Sequence, residues 1–463
     1  MANSIAYLSI VLWPIVVFTL LNKQGIQKGI LFSIFLSYMF LPASFEINLP
    51  GIPAFNKGTI TVISILLFLV LKGKSFGVAE LSKFSKLILF LFLISPFLTA
   101  MTNTERYLYL PAITFYDGLS QSVGGVLVFI PFLLGFKYFR DSKSQVLFLR
   151  AFVLFALLYS VFILYEIRMS PQLHTMLYGY FPHSFAQQYR AGGFRAVVFM
   201  GHGLLVALFV SVAFIVSLIL FKIKIKIINS ISLNFFVCAF LFVVLVLSKS
   251  YAALLFGVFG FFMVRFFNVK YIYIATFSLL FLYFSYPILS ATKLFPHDEM
   301  VELAVTVDPA RAQSLGFRFY HEGKLLEHAN KKAMFGWGSW GRNRVYDPET
   351  FEDVSVTDGR WIIMLGTKGW LGFLSELYFI FLCVYMSYVA GKKLSIRNYN
   401  YESIKSQRFM LASHALIVSL VLIDQIPNSS MNYFYWFVAG TLFGRSFDII
   451  SSNFKEKVSI VRQ

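Results

Sequence analysis

Apolar runs follow one another along almost the whole chain, divided by short polar connectors, with one long interruption at 291–357. A helix crosses a bilayer with about 17–25 mostly apolar residues. By that measure the runs predict helices over 5–21, 28–44, 59–72, 86–101, 119–137, 148–166, 196–221, 232–248, 251–267, 271–290, 361–390, 409–426 and 430–448. The third run is short, and only Lys249–Ser250 divides the eighth from the ninth, so the count is twelve or thirteen. The fold class is therefore an all-α polytopic membrane protein. No internal repeat, low-complexity tract or long polar tail breaks the pattern. Residues 1–463 read as a single membrane domain with 291–357 as a loop within it.

The loop has a pattern of its own. Asp308-Pro309 is a helix start, because a proline at the first helical position lacks only an N–H that would be unpaired there. From Ala310 to Met334 apolar residues recur every three or four positions, at Leu315, Phe319, Leu325, Leu326, Ala329 and Ala333. This predicts an amphipathic helix, with Gly316 and Gly323 as points where it can break. Its apolar face can pack on the membrane domain or lie in the interface. The run from Gly336 to Gly341, GWGSWG, ends the helix, since glycines permit tight turns and tryptophan favours the membrane–water boundary. The acidic stretch 347–353 reads as solvated surface, and Asp358–Gly359–Arg360 leads back into an apolar run.

Composition supports the membrane reading: the chain is 58% hydrophobic and 13% charged, against about 45–50% and 25% in soluble domains. The run 5–21 lacks a basic leader and a small-residue cleavage site, so it reads as the first span and not as a signal peptide. Cys238 and Cys383 lie within apolar runs, and no disulfide framework follows. The net charge of +18 sorts by connector. With the N-terminus outside, the inner connectors carry 24 of the 40 Lys and Arg but only 5 of the 22 acidic residues. That is the excess expected of cytoplasmic loops. Topology accounts for the basic balance, and no nucleic-acid partner is implied. Three segments then face outward: 102–118, 168–195 and 291–357.

Ionisable groups at a membrane are costly to desolvate and are functional candidates for that reason. On the outer side these are Arg190, Arg195, Lys249, Arg311, Arg318, Asp358 and Arg360. Arginine suits phosphate, because its planar fork is always charged and bonds oxygen pairs. Such a set fits an anionic lipid head, a diphosphate in particular. Arg190, Lys249 and Arg360 taken singly read equally well as snorkelling helix-end cations. Asp358 serves as a helix N-cap, as a general base towards an incoming hydroxyl, or as both. His202, within MGHGLL, reads more readily as a packed, hydrogen-bonded histidine than as a catalytic one. His297, His321 and His328 lie in the loop, and His321 is a further candidate. Metal-binding spacings, GxGxxG and Walker patterns are absent, so neither a metal nor a cofactor is expected and an ATP-driven pump is disfavoured.

Four stretches, in this order, resemble the O-antigen ligase and O-antigen polymerase superfamily of bacterial glycan-assembly enzymes. YRAGGFRAVVFMGHGLL is similar to that family's arginine-then-glycine approach to a span. LSKSYAALLFGVFG is similar to its Ser-Arg-Gly-type segment, with Lys249 where arginine is usual. RFYHEGKLLEHANKKAMFGWGSWG resembles its loop arginine, helix and Pro-Leu-x-Gly-x-Gly, with Ala333-Met334 in place of Pro-Leu. DGRWIIMLGTKGWLGF resembles the family's helix where the chain re-enters the membrane, ending in a Gly-x-x-Gly turn at Gly369 and Gly372. The first 180 residues contribute topology alone.

The resemblance implies a GT-C-type glycosyltransferase of the bacterial inner membrane, with the large loop in the periplasm. Such an enzyme moves a glycan from an undecaprenyl-diphosphate donor to a hydroxyl acceptor, without a metal and with inversion. By position, Arg195, Arg190 and Arg318 would hold the diphosphate. Lys249 and Arg360 are the further cations of that set, and Asp358 would act with Arg318 in catalysis. Ligases of the family carry a histidine eleven residues before the re-entry glycine, Gly369 here, where this chain has Asp358. That favours a polymerase of lipid-linked repeat units over ligase-type transfer to another acceptor. The partners implied are the lipid-linked donor and acceptor, the bilayer and a chain-length regulator. A flippase for a lipid-linked oligosaccharide is the main competing class, and a non-catalytic membrane scaffold the next.

Overall fold

The computed structural model describes residues 2–48, 53–190, 192–307, 309–395 and 401–451. In chain order its α-helices are α1 (Ser4–Phe40), α2 (Lys57–Leu71), α3 (Lys83–Met101), α4 (Phe115–Tyr138), α5 (Ser142–Met169), α6 (Leu173–Tyr178), α7 (Gly203–Lys222) and α8 (Leu233–Leu247). There follow α9 (Tyr251–Phe266), α10 (Val269–Ala291), α11 (His297–Val307), α12 (Pro309–Asn330), α13 (Arg360–Ser395), α14 (Tyr401–Ile423) and α15 (Tyr433–Ser451). The strands among the described residues are β1 (Tyr189–Arg190) and β2 (Gly193–Phe194), an antiparallel ribbon. The architecture is all-α and polytopic. Polar side chains start many helices: Asn56 and Thr114 close capping boxes with Thr59 and Asp117, and Ser82, Asp141 and Asn268 accept first-turn N–H groups.

Among the described residues, eight helices are long and apolar enough to cross a membrane: α1, α3, α4, α5, α7, α10, α13 and α14. They take in nine of the predicted runs, because α1 holds both 5–21 and 28–44. The remaining runs are helical, but α2, α8 and α9 have only 15–16 residues. Helix α15 is wrapped by protein, with nearly every side chain from Tyr433 to Ser446 buried. Its glycines explain how it lies against α4. A Cβ on Gly440 would fall 2.1 Å from the Phe132 carbonyl oxygen, and one on Gly444 2.6 Å from that of Phe136. Small residues four apart let two backbones meet in this way.

Two of the long helices fold back on themselves. At Gly25 the backbone leaves the helix (φ 76°, ψ 168°). A Cβ on Gly29 would lie 2.7 Å from the Leu21 Cα, and the Tyr7 ring meets the Phe45 ring edge-on at 4.9 Å. Helix α1 is thus a hairpin whose arms match the runs 5–21 and 28–44. Gly369 (φ 62°, ψ −169°) does the same to α13. Arg360 and Glu376 bond at 2.6 Å across it, whereas residues sixteen apart on a straight helix would be about 24 Å apart. The run 361–390 is therefore not one span. It is a short arm, 360–368, antiparallel to a long arm, 370–395.

The charge sorting of the sequence becomes a sorting of two ends. At one end Gln27 bonds the Tyr138 carbonyl, Lys137 and Arg140 pair with Glu80, Arg445 bonds the Arg140 carbonyl, and Lys393 bonds that of Ile450. At the other end lie the long loop, the segment 170–202 and the turn between α14 and α15. There Lys57 bonds the carbonyls of Tyr38 and Phe199, and Asn103 bonds that of Gly336. The loop itself contains two helices. Helix α12 runs unbroken through Gly316 and Gly323, which corrects the expected break, and α11 packs beside it. Of the expected Asp308-Pro309 start, Pro309 opens α12 and Asp308 lies outside the described residues.

Candidate functional site

The floor of the loop end is the polar turn after α14. Asp424 accepts from Ser430 Oγ (2.5 Å) and Asn428 Nδ2 (3.0 Å), and Gln425 Oε1 accepts the Met431 N–H. The turn in turn presents the carbonyls of Gln425 and Asn428, each 3.0 Å from the Arg360 N–H. These satisfy a donor at the start of the short arm that has no partner within the helix. Gly359 is needed for this approach, since a Cβ there would lie 2.2 Å from the Ile426 carbonyl oxygen. Arg360 then turns down and grips both oxygens of Glu376, at 2.6 and 2.8 Å. Asp358, before the glycine, is left half-exposed towards α12. Its Oδ2 lies 3.2 Å from Arg318 Nε.

The Gly-Trp-Gly run holds the short arm from above. The N–H groups of Trp337 and Gly338 bond the end carbonyls of Gly366 (2.7 Å) and Thr367 (3.0 Å). Reciprocally, the Trp370 and Leu371 N–H groups, at the start of the long arm, bond the carbonyls of Ala333 (2.8 Å) and Met334 (3.2 Å). Each segment thus caps the other. Trp337 stacks on the His328 ring (4.3 Å, 10°), and His328 Nε2 bonds the Arg342 carbonyl. Buried Arg342 donates to the carbonyls of Pro111, Glu105 and Trp337, tying the loop to the segment after α3.

The facing wall is built by Glu166, buried on α5. Its Oε1 accepts the Leu173 N–H (2.9 Å), and its Oε2 accepts those of Val197 (2.8 Å) and Val198 (2.7 Å). Val198 sits at φ 47°, a genuine outlier for a β-branched residue. The bond from its N–H to Glu166 holds it there. On this wall β1 and β2 pair Arg190 with Gly193. Buried Arg195 donates from Nη2 to the Lys249 carbonyl (3.1 Å), while Lys249 itself adopts φ 51°. Glycine makes room for both cations. A Cβ on Gly203 would strike Arg195 Cδ at 2.0 Å, and one on Gly193 would strike Lys249 Nζ at 2.2 Å.

His202 is not inside a span. It is the N-cap of α7, with Nδ1 accepting the Leu204 N–H at 3.0 Å. Its ring stands edge-on to that of His183 at 4.6 Å. Burial, and then the charges of His183, Arg195, Arg190 and Arg318, push its pKa down to about 4. Arg318 on one wall and Arg190–Arg195 on the other therefore act on one imidazole.

Arg318, paired with Asp358, acts on His202 together with Arg190 and Arg195, and Lys249 joins that side through its carbonyl bond from Arg195. Arg360 points away from them, in its pair with Glu376. His321 is buried among Phe317 and Tyr320, His297 packs on Phe319, and His328 is part of the loop scaffold. The side chain of Arg311 lies outside the described residues. Sequence reasoning missed Glu322, one turn beyond Arg318 on α12. It is buried, and its Oε2 accepts from Tyr286 Oη at 2.7 Å. Burial pushes its pKa up to about 7, against the pull of the Tyr286 bond and of Arg318, while Asp358 pushes the same way as burial. The spacing of four from Arg318 was a readable signal. Asp424 and Glu166 carried none, because their roles depend on turns that only the fold defines. Among the described residues no group of three or more His, Cys, Asp or Glu is arranged to hold a metal ion. No family model and no curated protein matches this chain.

Proposed function

We propose that the chain is a periplasmic-face glycosyltransferase of GT-C type that polymerises undecaprenyl-diphosphate-linked oligosaccharide repeat units, as in O-antigen or a related polysaccharide. The observation that carries this reading is the meeting of Arg318 with Asp358 at 3.2 Å, partly exposed, with Arg190 and Arg195 acting on the same His202 imidazole as Arg318. Glycosyl transfer from a diphosphate needs a stabilised leaving group and an activated hydroxyl. The cations supply the first. An arriving diphosphate competes with Asp358 for Arg318, which frees the carboxylate beside the reacting centre. The acceptor hydroxyl attacks the anomeric carbon of the donor sugar, and its proton passes to Asp358. The bond from that carbon to the diphosphate oxygen breaks, and the lipid diphosphate leaves with both electrons, neutralised by Arg318, Arg195, Arg190 and Lys249. Direct displacement inverts the anomeric centre.

The test is chain growth. Purified protein is mixed with a lipid-diphosphate oligosaccharide, and product length is read on a gel. A ladder formed without nucleotide supports the polymerase. A single transfer to a different acceptor indicates ligase-type chemistry, and substrate moved across a vesicle without lengthening indicates a flippase.

A further inference from the structure

Glu322 is a buried carboxyl that the mechanism above does not use. It lies on the same face of α12 as Arg318, since residues four apart on a helix are neighbours. Tyr286 on α10 donates to its Oε2 at 2.7 Å. The charged groups acting on it are Arg318 on α12 and Asp358 before the short arm, and His297 at the start of α11 has its ring 6.3 Å from that of Tyr286. Asp424, in the turn below, acts on the same guanidinium. Three carboxyls thus share the influence of Arg318, of which Asp358 is its ion-pair partner.

We propose that Glu322 is a proton-controlled positioning residue for Arg318: protonated, it leaves the guanidinium to Asp358 and to an oxyanion ligand, and ionised, it draws the guanidinium away from that ligand. The proposal rests on the reading of Arg318 as a diphosphate ligand. Its charge state is poised to change near neutrality, because burial lifts its pKa to about 7. Two charges one helical turn apart in a partly buried site interact strongly enough to change oxyanion affinity about tenfold.

The experiment uses the full chain in nanodiscs and a farnesyl-diphospho-N-acetylglucosamine probe, whose phosphates keep a constant charge between pH 6 and 8.5. Wild-type affinity should fall about tenfold across that range. Glu322→Gln, which keeps an acceptor for Tyr286, should bind at both pH values as wild type does at pH 6. Tyr286→Phe removes a bond that favours the ionised carboxylate, so its transition should move to higher pH. Equal losses in wild type and Glu322→Gln, no pH dependence in either, or an unmoved midpoint in Tyr286→Phe would overturn the proposal. Arg318→Ala separates the two layers. If it binds the probe at pH 6 as tightly as wild type, or if wild type does not bind at all, the diphosphate reading of Arg318 has failed and the role of Glu322 falls with it.

Discussion

Replacing Gly369 by alanine should undo the fold-back that delivers Asp358 to Arg318. The residue has φ 62° and ψ −169°, a region in which only glycine is at ease, and holding another residue there costs about 1–3 kcal/mol. A Cβ would also lie 2.4 Å from the Met334 carbonyl carbon and oxygen and 2.5 Å from the Phe335 nitrogen. All three are backbone atoms, so no side chain can swing aside, and forced overpacking adds about 1–3 kcal/mol. The strain falls where Trp337, Gly338, Trp370 and Leu371 exchange backbone hydrogen bonds with the opposite segment. A total loss of about 2–6 kcal/mol follows. The assay is thermal unfolding of the detergent-purified protein, with Gly323→Ala as control. Gly323 lies within α12 with nothing within 4 Å of its Cβ direction, and alanine there should gain up to about 1 kcal/mol. A Gly369→Ala protein that melts at or above the wild-type temperature would refute the reasoning.

Glu376→Gln leaves Arg360 charged and without its carboxylate in a site only 18% exposed, so stability should drop by about 3–5 kcal/mol, and a double change to two apolar residues should recover much of it. The measurement is melting temperature, and a single variant as stable as wild type would remove the pair from the account. Glu322 makes stability depend on pH. Its folded-state pKa of about 7 lies above the ordinary 4.5, so its contribution is fully present below 4.5 and is lost as pH rises towards 7. The span is about 3 kcal/mol at most. Wild type should therefore lose melting temperature relative to Glu322→Gln across that window, and a difference that stayed constant or grew in favour of wild type would contradict the assignment.

Much of the fold was legible because hydrophobic run length is a strong signal. Every predicted run became a helix, and even the hairpin at Gly25 left its two arms visible as separate runs. The hydrophobic run did not show the hairpin at Gly369, because the short arm is as apolar as the long one and composition does not distinguish a helix that continues from one that reverses; only the family resemblance put a turn there. The signal lay in contacts: a backbone pressed against Met334, and Arg360 sixteen residues from the carboxylate it grips. The same holds for the site. Arg318 and Asp358 stood out as charges in unusual places, and they meet. Arg360 stood out for the same reason, yet its charge is spent on Glu376. Glu166 lies within an apolar run that reads as an ordinary span, and only the strained turn at Val198 reveals what its carboxylate is for. His202 looked intramembrane because the run begins before the helix does.

In the proposed transfer Arg318 takes up leaving-group charge and Asp358 accepts the acceptor's proton. The most direct test is single-turnover elongation of a lipid-diphosphate oligosaccharide by wild type, Arg318→Ala and Asp358→Asn, each shown to elute and melt as wild type does. Wild type should give a ladder, and each variant should lose at least about a hundredfold in rate, the range of a missing general base or oxyanion partner. A wild-type ladder matched in rate and length by either variant would contradict these roles.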